Sequence, residues 1–143
     1  MRPFLFIFKA YSYSKTMVIH KTFADFVLFL YVHMAFADGE YHPSEEKEIL
    51  TKVKRLLPSE SDPKKRLDDA VAQYKPIKKE DLRTIIHDTF QHFTQVKFTQ
   101  KYKVYTDMYD IVHADGKVHE AEERALKELK EIIDVSSEVS HKH

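Results

Sequence analysis

Apolar residues recur along most of the chain with the spacing of amphipathic helices. The longest apolar run, FADFVLFLYVHMAFA, covers residues 23–37 and ends in an acidic turn. This run predicts a first helix over residues 19–37. Further stretches with apolar residues three or four positions apart predict helices at about 43–57, 64–73, 79–93, 99–114 and 120–133. No stretch alternates convincingly as a strand does, so the pattern predicts an all-α fold of six or seven helices.

The acidic turn that ends the first apolar run occurs a second time. The pattern Asp-Gly-x-x-His-x-x-Glu-Glu begins at Asp38 and again at Asp115, 77 positions later. Each copy follows an apolar run and precedes an amphipathic stretch, which predicts two helix-turn-helix units joined by an intervening pair of helices. The chain contains only two glycines, Gly39 and Gly116, and we expect both to adopt a positive φ in these turns.

Both turns have a complete structural interpretation. Pro43 suits the first position of a helix, and a glutamate in the third position can accept a hydrogen bond from the cap amide. Glu45 and Glu122 occupy that third position in the two copies. Such a cap contributes on the order of 1 kcal/mol, so helix capping alone is one hypothesis for the repeated pattern.

The same pattern also supplies oxygen and imidazole groups that could bind a divalent cation such as Ca²⁺, Mg²⁺ or Zn²⁺. The candidate ligands are Asp38, His42, Glu45, Asp115, His119 and Glu122. The turns lack the Asp-x-Asp-x-Asp-Gly loop of an EF-hand. Because the start of a helix carries partial positive charge, a cation here would have to lie towards the carbonyl groups that end the preceding helix.

Composition excludes several function classes. The 23 Lys and Arg residues balance the 23 Asp and Glu residues, so no net positive charge is available to hold a nucleic acid. The absence of cysteine removes disulfides, thiolate zinc sites and cysteine nucleophiles. With only two glycines, a Gly-rich phosphate loop is also excluded. We therefore expect a protein that is not an enzyme, with a metal-dependent hydrolase as the least favoured alternative.

The 143 residues suit one domain with flanking segments. Residues 1–16 form an N-terminal extension, residues 17–135 the helical domain and residues 136–143 a polar tail. A second hypothesis is that the natural protein starts at Met17 and that residues 1–16 are upstream sequence. The apolar part of the first helix contains Asp25 and His33 and is shorter than the about 18–20 residues that cross a bilayer, so we expect no transmembrane segment and a cytoplasmic location.

Two copies of Ala-Asp-Gly with a glutamate seven residues after the aspartate resemble the TerB-like family, named for bacterial tellurite resistance. The pairs Asp38 with Glu45 and Asp115 with Glu122 carry this resemblance, which covers roughly residues 20–134. It implies a helical fold without a well-established enzymatic activity, and divalent-cation binding through acidic residues. His42 and His119 depart from it, since small polar residues are frequent there in the family.

Three functional hypotheses follow. The first is a cation-responsive helical module that acts through a protein partner in bacterial stress or metal resistance. The second is a protein-interaction adaptor whose acidic turns are only helix caps. The third is a hydrolase with a carboxylate and histidine metal site. Cation binding at useful affinity separates the first two hypotheses, and catalytic turnover would be needed for the third.

Overall fold

The computed structural model describes residues 17–37, 39–93, 95–114, 116 and 120–141, with side chains up to residue 134. The predicted extension, residues 1–16, lies outside the described residues. Within these ranges the chain forms six helices and no strand, which confirms the predicted all-α fold. The helices are α1 (Phe23–Ala35), α2 (Pro43–Leu56), α3 (Pro63–Tyr74), α4 (Lys79–His92), α5 (Phe98–Val112) and α6 (Glu120–His141).

Helix α1 lies at the centre of the fold and packs against α2, α3, α5 and α6. Nine of its 13 residues are buried, as expected for a helix that is apolar on nearly all sides. Helix α4 packs against α6, and its Phe90 ring meets the α1 ring of Phe26 edge to face at 4.9 Å. No helix in the described ranges is long and apolar enough to span a membrane.

Two helix ends differ from their predicted positions by more than two residues. Helix α1 begins at Phe23 instead of residue 19, because the Thr22 hydroxyl accepts a hydrogen bond from the Asp25 amide at 3.1 Å and caps the helix there. Helix α6 continues to His141, well beyond the predicted end at Ile133. No glycine or proline occurs after residue 120, so nothing in the local sequence stops the helix.

The predicted inward face of α5 is partly wrong. Helical spacing predicts that α5 turns Tyr102, Tyr105, Met108, Tyr109 and Val112 towards the core. Tyr102 and Tyr109 are instead 42% and 48% exposed. The buried residues of α5 are Lys101, Val104, Asp107, Met108, Ile111 and Val112. The buried stripe of α5 thus includes two charged residues, Lys101 and Asp107. A prediction that counts only apolar residues therefore assigns the tyrosines to the buried face in their place.

The two acidic turns share their backbone hydrogen bonds. In each turn the residue after the helix donates its N–H four residues back, and the next residue and the glycine each donate three residues back. In the first turn the donors are Phe36, Ala37 and Gly39, at 3.1, 3.2 and 2.9 Å. In the second turn they are His113, Ala114 and Gly116, at 3.1, 3.2 and 3.1 Å. The sequence repeat is therefore also a structural repeat.

Both glycines have positive φ as predicted, +88° at Gly39 and +76° at Gly116. A Cβ atom added at either position would meet no other atom within 4 Å, so only the backbone conformation opposes a side chain. We expect Gly39→Val to lower the melting temperature more than Gly39→Asn, because asparagine tolerates the left-handed region and valine does not. The free-energy cost of such a conformation is about 1–2 kcal/mol for most side chains.

Thermal unfolding of the Gly39 variants, and of the matched Gly116→Val and Gly116→Asn pair, checks this expectation. Because the two turns share their geometry, the valine variants should behave alike at both positions. Equal melting temperatures for the valine and asparagine variants would contradict it.

Candidate cation site and buried polar clusters

The first acidic turn leads directly into α2. His42 precedes Pro43, and its backbone N–H donates to the Glu45 Oε1 atom at 3.1 Å. The His42 ring lies 3.4 Å from a carboxylate oxygen of Glu40. Glu45 itself is only 1% exposed. The capping interaction predicted for this glutamate is therefore present, and the carboxylate that makes it is buried.

The second acidic turn leads into α6. Glu122 lies in the first turn of this helix and, like Glu45, is only 1% exposed. Carboxylates are seldom buried to this extent unless they are paired, hydrogen-bonded or bound to a metal. The repeat therefore places one buried carboxylate at the start of each of two helices.

Three of the six predicted cation ligands fall within the described part of the chain: His42, Glu45 and Glu122. The other three, Asp38, Asp115 and His119, lie outside it. Among the described residues, no group of three or more histidine, aspartate or glutamate side chains is arranged to hold a metal ion. The six-residue ligand set stays a prediction.

A buried polar cluster joins α1, α2 and α5 around Asp107. Its carboxylate accepts hydrogen bonds from the Tyr31 hydroxyl at 3.0 Å and from the Lys103 amine at 2.7 Å. The Lys52 amine lies 3.5 Å away. Tyr31, Lys52 and Asp107 are all buried, so this cluster ties three helices together by charge and hydrogen bonding inside the core.

Lys52 also contacts two acidic side chains beyond Asp107. Its amine lies 3.2 Å from Asp110 and 3.3 Å from Glu48. Burial acts to lower the pKa of Lys52, but these carboxylates together outweigh it and raise the pKa above its ordinary value. Lys52 therefore stays charged inside the protein.

Burial and neighbouring groups also act in opposite directions on the pKa of Asp107. Burial acts to raise the pKa, whereas the hydrogen bonds from Lys103 and Tyr31 and the charge of Lys52 lower it. The second effect is larger, so the pKa of Asp107 lies below its ordinary value. The carboxylate is ionised at neutral pH and forms ion pairs with Lys52 and Lys103.

A half-buried pair links the end of α1 to the end of α3. The Nδ1 atom of His33 and the Tyr74 hydroxyl are hydrogen-bonded at 3.0 Å. Burial lowers the pKa of His33 to about 4, against a smaller opposing effect of the Glu128 carboxylate. Burial also raises the pKa of Tyr74 to about 12. Both side chains are therefore neutral at pH 7.

The partners in both polar clusters cannot be identified from local sequence, although one signal for the first cluster is present. Lys52 falls at helical spacing with Ile49, Val53 and Leu56, inside the apolar stripe of α2. A lysine in such a stripe needs an anionic partner if it is buried. No local pattern shows that the partner is Asp107, which is 55 residues away.

Two similar helix-turn-helix units arranged around a central apolar helix define a small all-α module with repeated acidic turns. A family model described as tellurite resistance protein TerB matches residues 24–142, and the chain belongs to this family. The match runs from the start of α1 to the end of α6 and confirms the resemblance inferred from the repeated turns. Comparisons with curated proteins and with solved structures gave no match.

Proposed function

We propose that this TerB-family chain is a non-enzymatic helical module that binds a divalent cation through its two acidic turns. In this proposal the module acts through a protein partner in bacterial stress or metal resistance, in line with the description of its family. The cation is Ca²⁺, Mg²⁺ or Zn²⁺, held mainly by the carboxylates of Asp38, Glu45, Asp115 and Glu122. His42 and His119 have a secondary role.

The burial of Glu45 and Glu122 is the observation that supports cation binding most directly. Both carboxylates are 1% exposed, and they occupy equivalent positions in the two turns. Removing a carboxylate from water is costly unless an interaction compensates for it. A bound cation is one of the interactions that can compensate for the burial of a carboxylate.

A protein-interaction adaptor with purely structural turns is the second candidate function. The hydrogen bond from the His42 amide to Glu45 favours it, because this contact is what a capping glutamate makes. In that case the carboxylates stabilise the starts of α2 and α6 and bind no metal.

An aromatic face on α5 supports the protein partner that both candidates require. Phe98, Tyr102 and Tyr109 are 43%, 42% and 48% exposed. The Phe98 and Tyr102 rings are 5.9 Å apart, and Tyr109 stacks on His113 at 3.9 Å. Exposed aromatic rings are enriched at sites of protein association.

Metal-dependent thermal unfolding separates the two candidates. If the turns bind a cation, metal at 100 times its dissociation constant should stabilise the folded state by about 2.7 kcal/mol, which raises the melting temperature by several degrees. Replacing both Asp38 and Asp115 with asparagine should abolish this increase. The matched control is Asp69→Asn with Asp134→Asn, which removes the same charge from two exposed positions and should leave the increase intact.

The adaptor function predicts different results in the same experiment. Ca²⁺, Mg²⁺ and Zn²⁺ at millimolar concentration would then leave the melting temperature of the wild-type protein unchanged. Each single replacement of a turn carboxylate by its amide would cost about 1 kcal/mol or less. If a histidine also binds the metal, protons compete for its ring, and the metal-dependent increase should shrink on acidification.

A further inference from the structure

A cavity of about 290 Å³ lies between the ends of α1 and α3 and the facing sides of α4 and α6. It is separate from the Asp107 cluster. Its volume is close to the lower end of the range for small-molecule sites, about 300–1,000 Å³. The cavity is therefore large enough for a small organic molecule.

Apolar side chains form much of the cavity wall. Leu82 and Ile86 come from α4, and Leu129 and Ile132 come from α6. An aromatic surface continues this wall, where the Phe36 and Tyr74 rings stack with centroids 5.5 Å apart and planes at 23°. Such a wall favours a ligand with an apolar body, which can pack against these side chains and exclude water.

The His33 and Tyr74 pair adds polar groups to the cavity without adding charge. The two side chains are hydrogen-bonded at 3.0 Å, and burial keeps the pKa of His33 far below neutral pH. The His33 ring therefore carries no positive charge that would attract an anion to the apolar wall of the cavity. Charge recognition must take place elsewhere along the wall.

Three cationic side chains line the cavity and extend towards solvent. Arg83 and Arg124 are 58% and 68% exposed, and each is paired with an acidic residue of α6. Arg83 bonds to Glu128 at 2.7 Å across the cavity wall. Lys79 has no ion-pair partner among the described residues. The lining carries three positive charges and one negative charge, which disfavours a metal ion and favours an anion.

We propose that this cavity binds a small organic monoanion whose apolar body packs against Leu82, Ile86 and Leu129 and whose carboxylate pairs with Lys79. Arg124 supports the same carboxylate, because its exposed ion pair with Glu120 is weak and can be exchanged. This site takes a ligand of opposite charge to the cation proposed for the acidic turns, and neither proposal depends on the other.

Binding of 2-naphthoate to the full chain tests the site. We expect saturable one-to-one binding, followed by isothermal titration calorimetry and by shifts of amide signals from α4 and α6. The neutral analogue 2-naphthamide should bind about two- to fivefold more weakly, since an exposed charge pair contributes up to about 1 kcal/mol. The cationic analogue 2-naphthylmethylamine should bind more weakly still.

Two variants of exposed lysines test whether the carboxylate of the ligand lies at Lys79. Lys79→Gln should weaken 2-naphthoate binding about two- to fivefold and leave 2-naphthamide binding unchanged, since an exposed ion pair contributes up to about 1 kcal/mol. The matched control is Lys130→Gln, an exposed lysine of α6 outside the cavity lining, which should change neither. Both variants alter exposed side chains, so neither should affect folding.

Three results would overturn the proposal. They are the absence of saturable 2-naphthoate binding up to millimolar concentration, equal affinity for the amide, and equal weakening by the two lysine variants. Enlarging Ala125 to phenylalanine provides a further check on the location, because the larger side chain fills the cavity and should abolish binding of both probes. Retention of binding in a folded Ala125→Phe protein would place the ligand elsewhere and overturn the proposal as well.

Discussion

Replacing Asp107 with leucine is expected to destabilise the folded protein by about 3–5 kcal/mol, the usual cost of breaking a buried ion pair by removing one partner. The carboxylate accepts hydrogen bonds from Tyr31 and Lys103 and lies 3.5 Å from Lys52. Without it, the buried Tyr31 hydroxyl loses its acceptor and the buried Lys52 amine loses one of its anions. Chemical denaturation measures the loss of stability.

Asp110→Asn is the matched control for this prediction. Asp110 lies on the same helix and contacts the same lysine at 3.2 Å, but its side chain is 58% exposed. Exposed ion pairs contribute about 0–1 kcal/mol, so this variant should have little effect. If Asp107→Leu cost no more than Asp110→Asn, the cluster would not be important for stability.

The triple variant Asp107→Leu, Tyr31→Phe, Lys52→Met tests whether the buried donors left without a partner cause the loss of stability. Tyr31→Phe and Lys52→Met remove the two buried donors that Asp107→Leu leaves behind. Apolar replacement of a whole buried polar cluster is often neutral or stabilising, whereas removal of one partner is not. The triple variant should therefore recover much of the stability that the single variant loses.

Acidification is expected to destabilise the protein by about 3 kcal/mol between pH 6.5 and pH 4 through His33 alone, since each unit of pKa shift corresponds to about 1.36 kcal/mol. The folded pKa of His33 is about 4, below the 6.5 of an unfolded histidine, because burial disfavours the charged ring. In this window the unfolded chain binds a proton that the folded chain does not. The stability from His33 is complete above pH 6.5 and is lost as the pH falls towards 4.

His33→Gln isolates this effect, because glutamine keeps a hydrogen-bonding partner for Tyr74 but does not titrate. Denaturation of the variant between pH 7 and pH 4 should show a shallower loss of stability than the wild type. His92→Gln, at an exposed position, should leave the loss unchanged. The same pH dependence in the wild type and in His33→Gln would contradict the prediction.

His20, which is buried, is also expected to make the folded protein less stable as the pH falls. His20 packs against the Phe29 ring at 4.7 Å, and burial lowers its pKa against the opposing charge of Asp25. The variant with both histidines replaced should therefore lose less stability in acid than either single variant. Asp107 does not titrate in this window, because its pKa lies below its ordinary value.

Helices and turns could be predicted from local sequence because their determinants are local. The start of α2 follows from Pro43 and Glu45, and both chain reversals follow from glycines that tolerate positive φ. The family could be recognised for the same reason, since its motif lies within each turn. The matching hydrogen bonds at the two turns show that equal local sequence produced equal local structure.

The burial of charged residues could not be predicted in the same way. The tyrosines of α5 were assigned to the core because they are apolar at helical spacing, but Lys101 and Asp107 occupy the buried face instead. Burial of Asp107 depends on Tyr31 and Lys52, which reach it from two other helices. Such compensation exists only after the helices have packed.

The sequence by itself determined the all-α fold, two left-handed glycine turns and the family, because each depends on residues within a few positions of one another. Only the tertiary structure decided which side chains meet across helices. His33 and Tyr74 are 41 residues apart, and the cavity beside them lies between four helices. A cavity is the space left by side chains distant in sequence, so its shape and charge depend on how the helices pack.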